Sequence, residues 1–246
     1  MLTPTHPSIA RVSDASGFTL IETLVAMISS TVVVGALFAI FIVALHQTAR
    51  TSGRVEATEL GNTTMTRLVD ELHSACIARE FTPIREKSNA NELIFVSGVG
   101  KEAVLTKAYL HKIAYSTSAH TLVETTWPNV STSSWPNFEF SESGTPTTVR
   151  IGENITLNTG AEGIFQYYGY SENPESTGAV STLVRLKEGS GGLESNAAKA
   201  SAVSVNFTAG ATQYRQYKPT IELSNQVTLA FTAPSAETPI LQKPCE

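Results

Sequence analysis

Gly17-Phe18-Thr19-Leu20-Ile21-Glu22 opens a stretch whose continuation, Thr23 to Leu45, carries no charged residue. A helix rises about 1.5 Å per residue, so this run reaches roughly 34 Å, enough to cross a hydrocarbon core of about 30 Å. Glu22 stands alone at the edge of that run, where a carboxylate is costly in lipid and calls for a partner. A cleaved secretory signal has a shorter apolar core with a small-residue site after it. Here the glycine precedes the run, and the run is too long for a signal core.

That combination of glycine, phenylalanine, acid and uninterrupted apolar helix resembles the processing site of type IV prepilins and type II secretion pseudopilins. The resemblance covers only the N-terminal part of the chain. It implies that a prepilin peptidase in the membrane cuts between Gly17 and Phe18 and methylates the new amine of Phe18. Gly17 has no side chain and lets a protease approach the backbone closely. The amine of Phe18 would then lie one helical turn before Glu22. In the family this acid pairs with the amine of a neighbouring subunit, which offsets much of the desolvation cost of both charges and sets assembly register. The residues alone also fit an uncleaved signal anchor. Arg11 is balanced by Asp14 in the leader, and Arg50 and Arg54 lie beyond the far end, so positive-inside counting gives no support for a cytoplasmic leader. Orientation follows from the resemblance, with the head on the outer side of the inner membrane.

The chain has 246 residues and a net charge of −5, without a general basic footprint for nucleic acid. Beyond the membrane helix there is length for one globular head with its own core. The two cysteines, Cys76 and Cys245, would in an oxidising compartment tie the end of the long helix to the C-terminal tail. In the chain-entropy account such a long loop is worth about 5 kcal/mol. The alternative is two unpaired thiols, with Cys76 filling a core-facing position.

Helical spacing resumes beyond Leu45. Val55, Leu60, Met65, Leu68, Val69, Leu72 and Cys76 supply an apolar face, while Gly53 and Gly61 weaken the helix locally. It stops before Thr82-Pro83. The pattern then turns to strands: Glu92 to Ser97, Ala108 to Ser116 and His120 to Trp127 about a Thr117-Ser118-Ala119 turn, Val149 to Ile151, Gly163 to Tyr170, Val180 to Lys187, Ala202 to Thr208, and Thr220 to Thr232. Thr125 to Thr148, Ser171 to Gly178 and Glu188 to Asn196 read as loops. One long helix followed by strands predicts an α+β, antiparallel, pilin-like fold. Its expected organisation is a leader over 1–17, a transmembrane and assembly helix over 18–46, an amphipathic continuation over 47–80 and a β-rich head over 81–246.

Arg67-Leu68-Val69-Asp70-Glu71-Leu72, Leu93-Ile94-Phe95, a hairpin ending near Trp127-Pro128, and Ile164-Phe165-Gln166-Tyr167-Tyr168 follow one another in an order similar to J-type minor pseudopilins and W-type minor pilins. Ala39 stands where many major pilins carry a proline. The resemblance implies a structural subunit that primes or caps a filament, in company with other minor and major subunits and the inner-membrane assembly platform. The alternatives are a pilus-tip adhesin or DNA-uptake subunit, or a signal-anchored exported binding domain.

No catalytic set emerges from the sequence, and nothing in it calls for a cofactor or metal. His46, His73, His111 and His120 are dispersed, without metal-ligand spacing. His111 and Glu124 would face each other across the hairpin, as an incidental surface pair in preference to a metal or acid–base site. Gly189-Ser190-Gly191-Gly192 lacks the Lys-Ser/Thr of a phosphate loop and reads as a turn. Trp127-Pro128-Asn129 and Trp135-Pro136-Asn137 echo one another: the two tryptophans either form exposed anchors for a partner or staple their loop to the head. Mass spectrometry of the membrane-extracted protein should find a methylated peptide beginning at Phe18 only in cells that contain the prepilin peptidase. A chain retaining Met1 to Gly17 in both strains would make it a signal-anchored ectodomain.

Overall fold

A computed structural model describes residues 19–75, 82–101, 104–130, 139–141, 144–171, 182–212 and 219–229. The architecture is α+β, with one long N-terminal helix, α1 (Leu20–His73), followed by antiparallel sheets, as in the pilin-like arrangement. The chain divides into two compact units, Met1–Thr48 and Ala49–Glu246. In the first, the large apolar side chains of α1 from Leu20 to Leu45 are exposed. That part of the helix is long and apolar enough to cross a membrane.

The second unit holds two sheets and the rest of α1. The first sheet comprises β1 (Glu92–Lys101), β2 (Val104–Ser116), β3 (Thr121–Pro128) and β4 (Thr147–Glu153), in that spatial order. The second is built on β8 (Ala202–Gly210). β9 (Thr220–Thr228) pairs along it, as do β5 (Ile155–Thr156) and β6 (Phe165–Tyr170), and β7 (Leu183–Arg185) continues from β6. Every pairing is antiparallel. One core unites helix and both sheets, joining Leu68 and Leu72 to Leu93, Phe95, Ile113 and Leu122 and to Phe165, Tyr167, Val205 and Phe207. Strand alternation sends the opposite face of the first sheet into a smaller cluster of Ile94, Val96, Ala108, Leu110 and Trp127.

Most strands lie where the sequence placed them, with β1 and β2 longer and β7 shorter than expected. The β2–β3 connection takes in His120, which adopts a left-handed conformation (φ 54°) and so belongs to the turn, not to a strand. Ile155 and Thr156 form a short strand absent from the sequence reading, and Glu194–Lys199 is a 3₁₀ turn where a loop was expected. The segment around Gly189 closes as a turn through a Gly189–Gly192 bridge.

The buried stripe of α1 differs from the expected one. Met65, Leu68 and Leu72 are buried, but Val55 and Leu60 are exposed, and the stripe continues through Gly53, Ala57, Gly61 and Thr64. Gly61 is a contact point, not a soft turn, because it lets the helix lie close to the second sheet, and Gly53 is buried on the same stripe. A Cβ on Gly61 would collide with Leu223 Cδ1 and stand 2.9 Å from Ala209 Cβ. Nearby, Thr64 Oγ1 donates to the Ile151 carbonyl at 3.1 Å, and the Thr212 amide and hydroxyl both donate to Glu56.

Gly61→Ala gains about 1 kcal/mol of helix propensity but overpacks this contact by about 1–3 kcal/mol. Its melting temperature should therefore fall. Gly35→Ala, with nothing within 4 Å of its new Cβ, should not lower it. Circular-dichroism melts of the detergent-solubilised chain test the contrast, and a raised melting temperature for Gly61→Ala would refute the close approach.

Candidate functional site

At the head of α1, Thr19 and Glu22 hold each other. The Thr19 amide and hydroxyl each donate to Glu22 Oε2 at 3.0 Å, and the Glu22 amide reaches back to Thr19 Oγ1 at 3.4 Å. This is the reciprocal capping box of a helix N-terminus, in which an acid at the third helical position satisfies a backbone donor. The carboxylate of Glu22 thus has donors within its own chain. Further along, Ser29, Ser30 and Thr31 return their hydroxyls to carbonyls one turn earlier, at 2.7 to 3.1 Å. Their polar atoms are satisfied inside the helix and present no unpaired donor to an apolar surrounding. The expected cleavage pair Gly17 and Phe18, the cysteines Cys76 and Cys245, and Trp135 lie outside the described residues.

Within the second unit, the core-facing side of the first sheet carries a polar cluster. Ser97, His111 and Glu124 occupy the alternation positions that elsewhere hold Leu93 and Phe95, Ile113 and Tyr115, and Leu122. The register sets Phe95 opposite His111 and Ile113 opposite Glu124, so the three polar residues lie diagonally across β1, β2 and β3. His111 Nε2 lies 2.7 Å from Ser97 Oγ, and its Nδ1 lies 2.8 Å from Glu124 Oε1. Arg67 Nη2 of α1 donates to Glu124 Oε2 at 2.9 Å, and Glu71 Oε2, one helical turn on, lies 3.8 Å from His111 Nδ1. Phe95 stacks on the imidazole at 4.9 Å between centroids, with Tyr109 edge-on. His111 and Glu124 are therefore a buried pair, only 8% and 4% exposed, and not the surface pair expected. The hairpin brings them together as foreseen, and α1 covers them.

The environments of the two acids push them apart. The hydrogen bond from His111 is the main influence holding Glu124 below the ordinary carboxylate range, with Arg67 assisting against the cost of burial. Burial is the main influence raising Glu71, reinforced by the nearby charge of Glu124. Ser97–His111–Glu124 has the atom order of a hydrolytic triad, yet Ser97 lies inside β1, opposite Tyr109 and bridged to Ala75. Among the described residues no sharp strand-to-helix turn presents its hydroxyl to a substrate, as a nucleophile of that kind requires.

Trp127 is buried against Ile94, Val96, Ala108 and Leu110, with Phe140 alongside. It staples its strand to the sheet and offers no exposed anchor. Signals for the polar cluster were present in the sequence: Arg67 and Glu71 recur at helical spacing, and three polar residues fall on the apolar parity of adjacent strands. Sequence reasoning linked only His111 with Glu124, because the partners on α1 and β1 depend on how the helix lies over the sheet.

No protein-family model matches this chain, and a comparison with curated proteins finds no similar one.

The two acids should leave opposite marks on stability. Glu124, lowered in the fold, contributes stability that is present above its unfolded value and lost as pH falls through its folded one. Glu71, raised in the fold, contributes stability that is present below its unfolded value and lost as pH rises through its folded one. In metal-free buffer, Glu124→Gln should cost about 1–3 kcal/mol at neutral pH and flatten the acid limb. Glu71→Gln should flatten the slope above the ordinary carboxylate range instead. Denaturant melts across pH check both signs.

Proposed function

We propose that this chain is a minor pilin or pseudopilin, a structural subunit that primes or caps a type IV pilus-like or type II secretion filament after leader cleavage. The observation that carries the reading is the pairing of the Gly17-Phe18-Thr19-Leu20-Ile21-Glu22 motif with a helix whose large apolar side chains from Leu20 to Leu45 are exposed among the described residues. Before processing, this helix holds the subunit in the inner membrane. Afterwards, lateral packing against the helices of other subunits replaces lipid contact.

Such packing depends on close approach in the membrane, where small residues rather than apolar bulk set the contact. Ala26, Ser29, Ser30, Gly35, Ala36 and Ala39 supply them. Glu22 acts as the register mark. Its carboxylate is bonded to Thr19 in the single chain, and on assembly it takes the charged amine of a neighbouring Phe18, a stronger partner than a neutral donor. The β-rich head then contacts other minor subunits. Trp127, the described member of the echo that would serve an adhesin, is packed inside the head, so the structural reading has the advantage.

Deleting the gene should reduce filament number or secretion, and Glu22→Ala or Gly35→Leu should fail to restore it while accumulating as membrane protein. Gly35→Leu adds bulk where the single chain has nothing within 4 Å, so its defect would report on packing between subunits. Normal filaments and secretion in the deletion strain, or unchanged incorporation of Glu22→Ala, would sink this role.

A further inference from the structure

We propose that Glu71, His111 and Glu124 form a binding site for a single zinc-type divalent cation that fastens α1 to the first sheet. One carboxylate oxygen from each acid and a ring nitrogen of the histidine all lie within 4.8 Å of one another. The individual separations are 2.8 Å from His111 Nδ1 to Glu124 Oε1 and 3.8 Å to Glu71 Oε2. Ligand bonds of about 2.0–2.2 Å in tetrahedral geometry set donor atoms about 3.3–3.6 Å apart. Side-chain adjustments of about an ångström would bring this trio to that spacing. The donors come from α1, β2 and β3, three elements already fixed by the core, which limits the reorganisation that binding demands.

Glu71 provides the second line of argument. Its side chain is 27% exposed, among the described residues no hydrogen bond reaches its carboxylate, and His111 Nδ1 lies 3.8 Å away. The carboxylate lines an open groove, so solvent answers it in the single chain and a cation can reach it. Against Glu71, Glu124 and the neighbouring Asp70, Arg67 is the cation that acts on Glu71 along with His111. It is engaged with Glu124 Oε2, leaving Oε1 directed at the imidazole. A divalent cation between Nδ1 and the two acids takes the place of that solvent and removes the excess negative charge.

The surroundings fit such a centre. Ser97 holds Nε2, so with the Nε2 proton donated to its hydroxyl, Nδ1 presents a lone pair to the cation. Phe95 fixes the ring plane, and Arg67 orients one carboxylate, the kinds of outer contact that position metal ligands. An open groove lined by Asn62, Thr63, Thr66, Arg67, Asp70 and Glu71 lets water reach a remaining coordination position. The donor set selects the ion. Calcium seeks six to eight oxygen ligands, whereas an imidazole with two single carboxylate oxygens suits zinc and its neighbours. Binding replaces the direct contact between His111 Nδ1 and Glu124 Oε1 with coordination of both atoms to the cation.

The test titrates cobalt(II) into the full-length, detergent-solubilised protein after chelator treatment, following visible absorption, and then displaces it with zinc. The expected result is one cobalt per chain, with the intense bands of a low-coordinate site that zinc abolishes. Glu71→Gln, which leaves the Arg67–Glu124–His111 contacts in place, should weaken binding by at least the roughly ten-fold that loss of an outer-shell partner costs. His111→Asn should abolish it. A cooperative melt of metal-free Glu71→Gln keeps a folding defect from imitating the loss. Absence of a cobalt spectrum, unweakened binding by Glu71→Gln, or selective uptake of calcium would overturn the site.

Discussion

A single unbroken helix carries two different burial patterns, and the packing of the described sheets is organised around the second. Through Leu45 the side chains of α1 are apolar on all sides and exposed, a pattern that fits an environment supplied from outside the chain. Beyond Thr48 the helix belongs to the second compact unit, where only one stripe is buried. That stripe is built largely from residues with little or no side chain at first, then from Met65, Leu68 and Leu72. Small residues bring the backbone near a sheet, and large ones fill the space where helix and sheets enclose a common core. The change of residue size along one face is thus a change in the distance the helix keeps from its neighbours.

At the end of α1 the contact changes chemistry. Arg67 and Glu71 meet His111 and Glu124 above a sheet whose surrounding positions are apolar. Burial makes such a cluster costly unless each charge is answered, and the geometry answers Glu124 within the chain and leaves Glu71 to solvent. A buried ionic contact of this kind also constrains how the helix can be placed. A slide by one turn would take the Arg67 guanidinium away from Glu124 and leave His111 as its remaining partner.

The fold was legible in the sequence to the extent that periodicity controls it. The apolar run of α1, the β2–β3 hairpin and the strands ending at Gly210 and Thr228 each carry a local pattern strong enough to read. Three features were not legible, for distinct physical reasons. Val55 and Leu60 satisfy helical spacing yet are exposed, because the approach of β8 and β9 favours glycine and alanine at that level, and one helix cannot reveal how near a sheet will come. The two-residue β5 is too short to display alternation and exists through its pairing with Ala209 and Thr208. The polar cluster was half visible: hairpin register joined His111 to Glu124, but its burial, and the presence of Ser97, Arg67 and Glu71, arise from long-range packing.

The second half of α1 is therefore held by two contacts that obey different physics. Around Gly61 the hold is apolar and close, against Leu223 and Ala209. Around Arg67 and Glu71 an electrostatic contact adds to the apolar packing of Leu68 and Leu72, with Arg67 still 41% exposed on its side chain. Apolar attachment weakens on cooling, while the desolvation cost of paired charges falls as temperature rises. Dissolved salt screens the part-exposed guanidinium yet, if strongly hydrated, tightens apolar burial. Ionic strength thus acts in opposite directions on the two contacts, weakening the one around Arg67 while strongly hydrated salts tighten the one around Gly61.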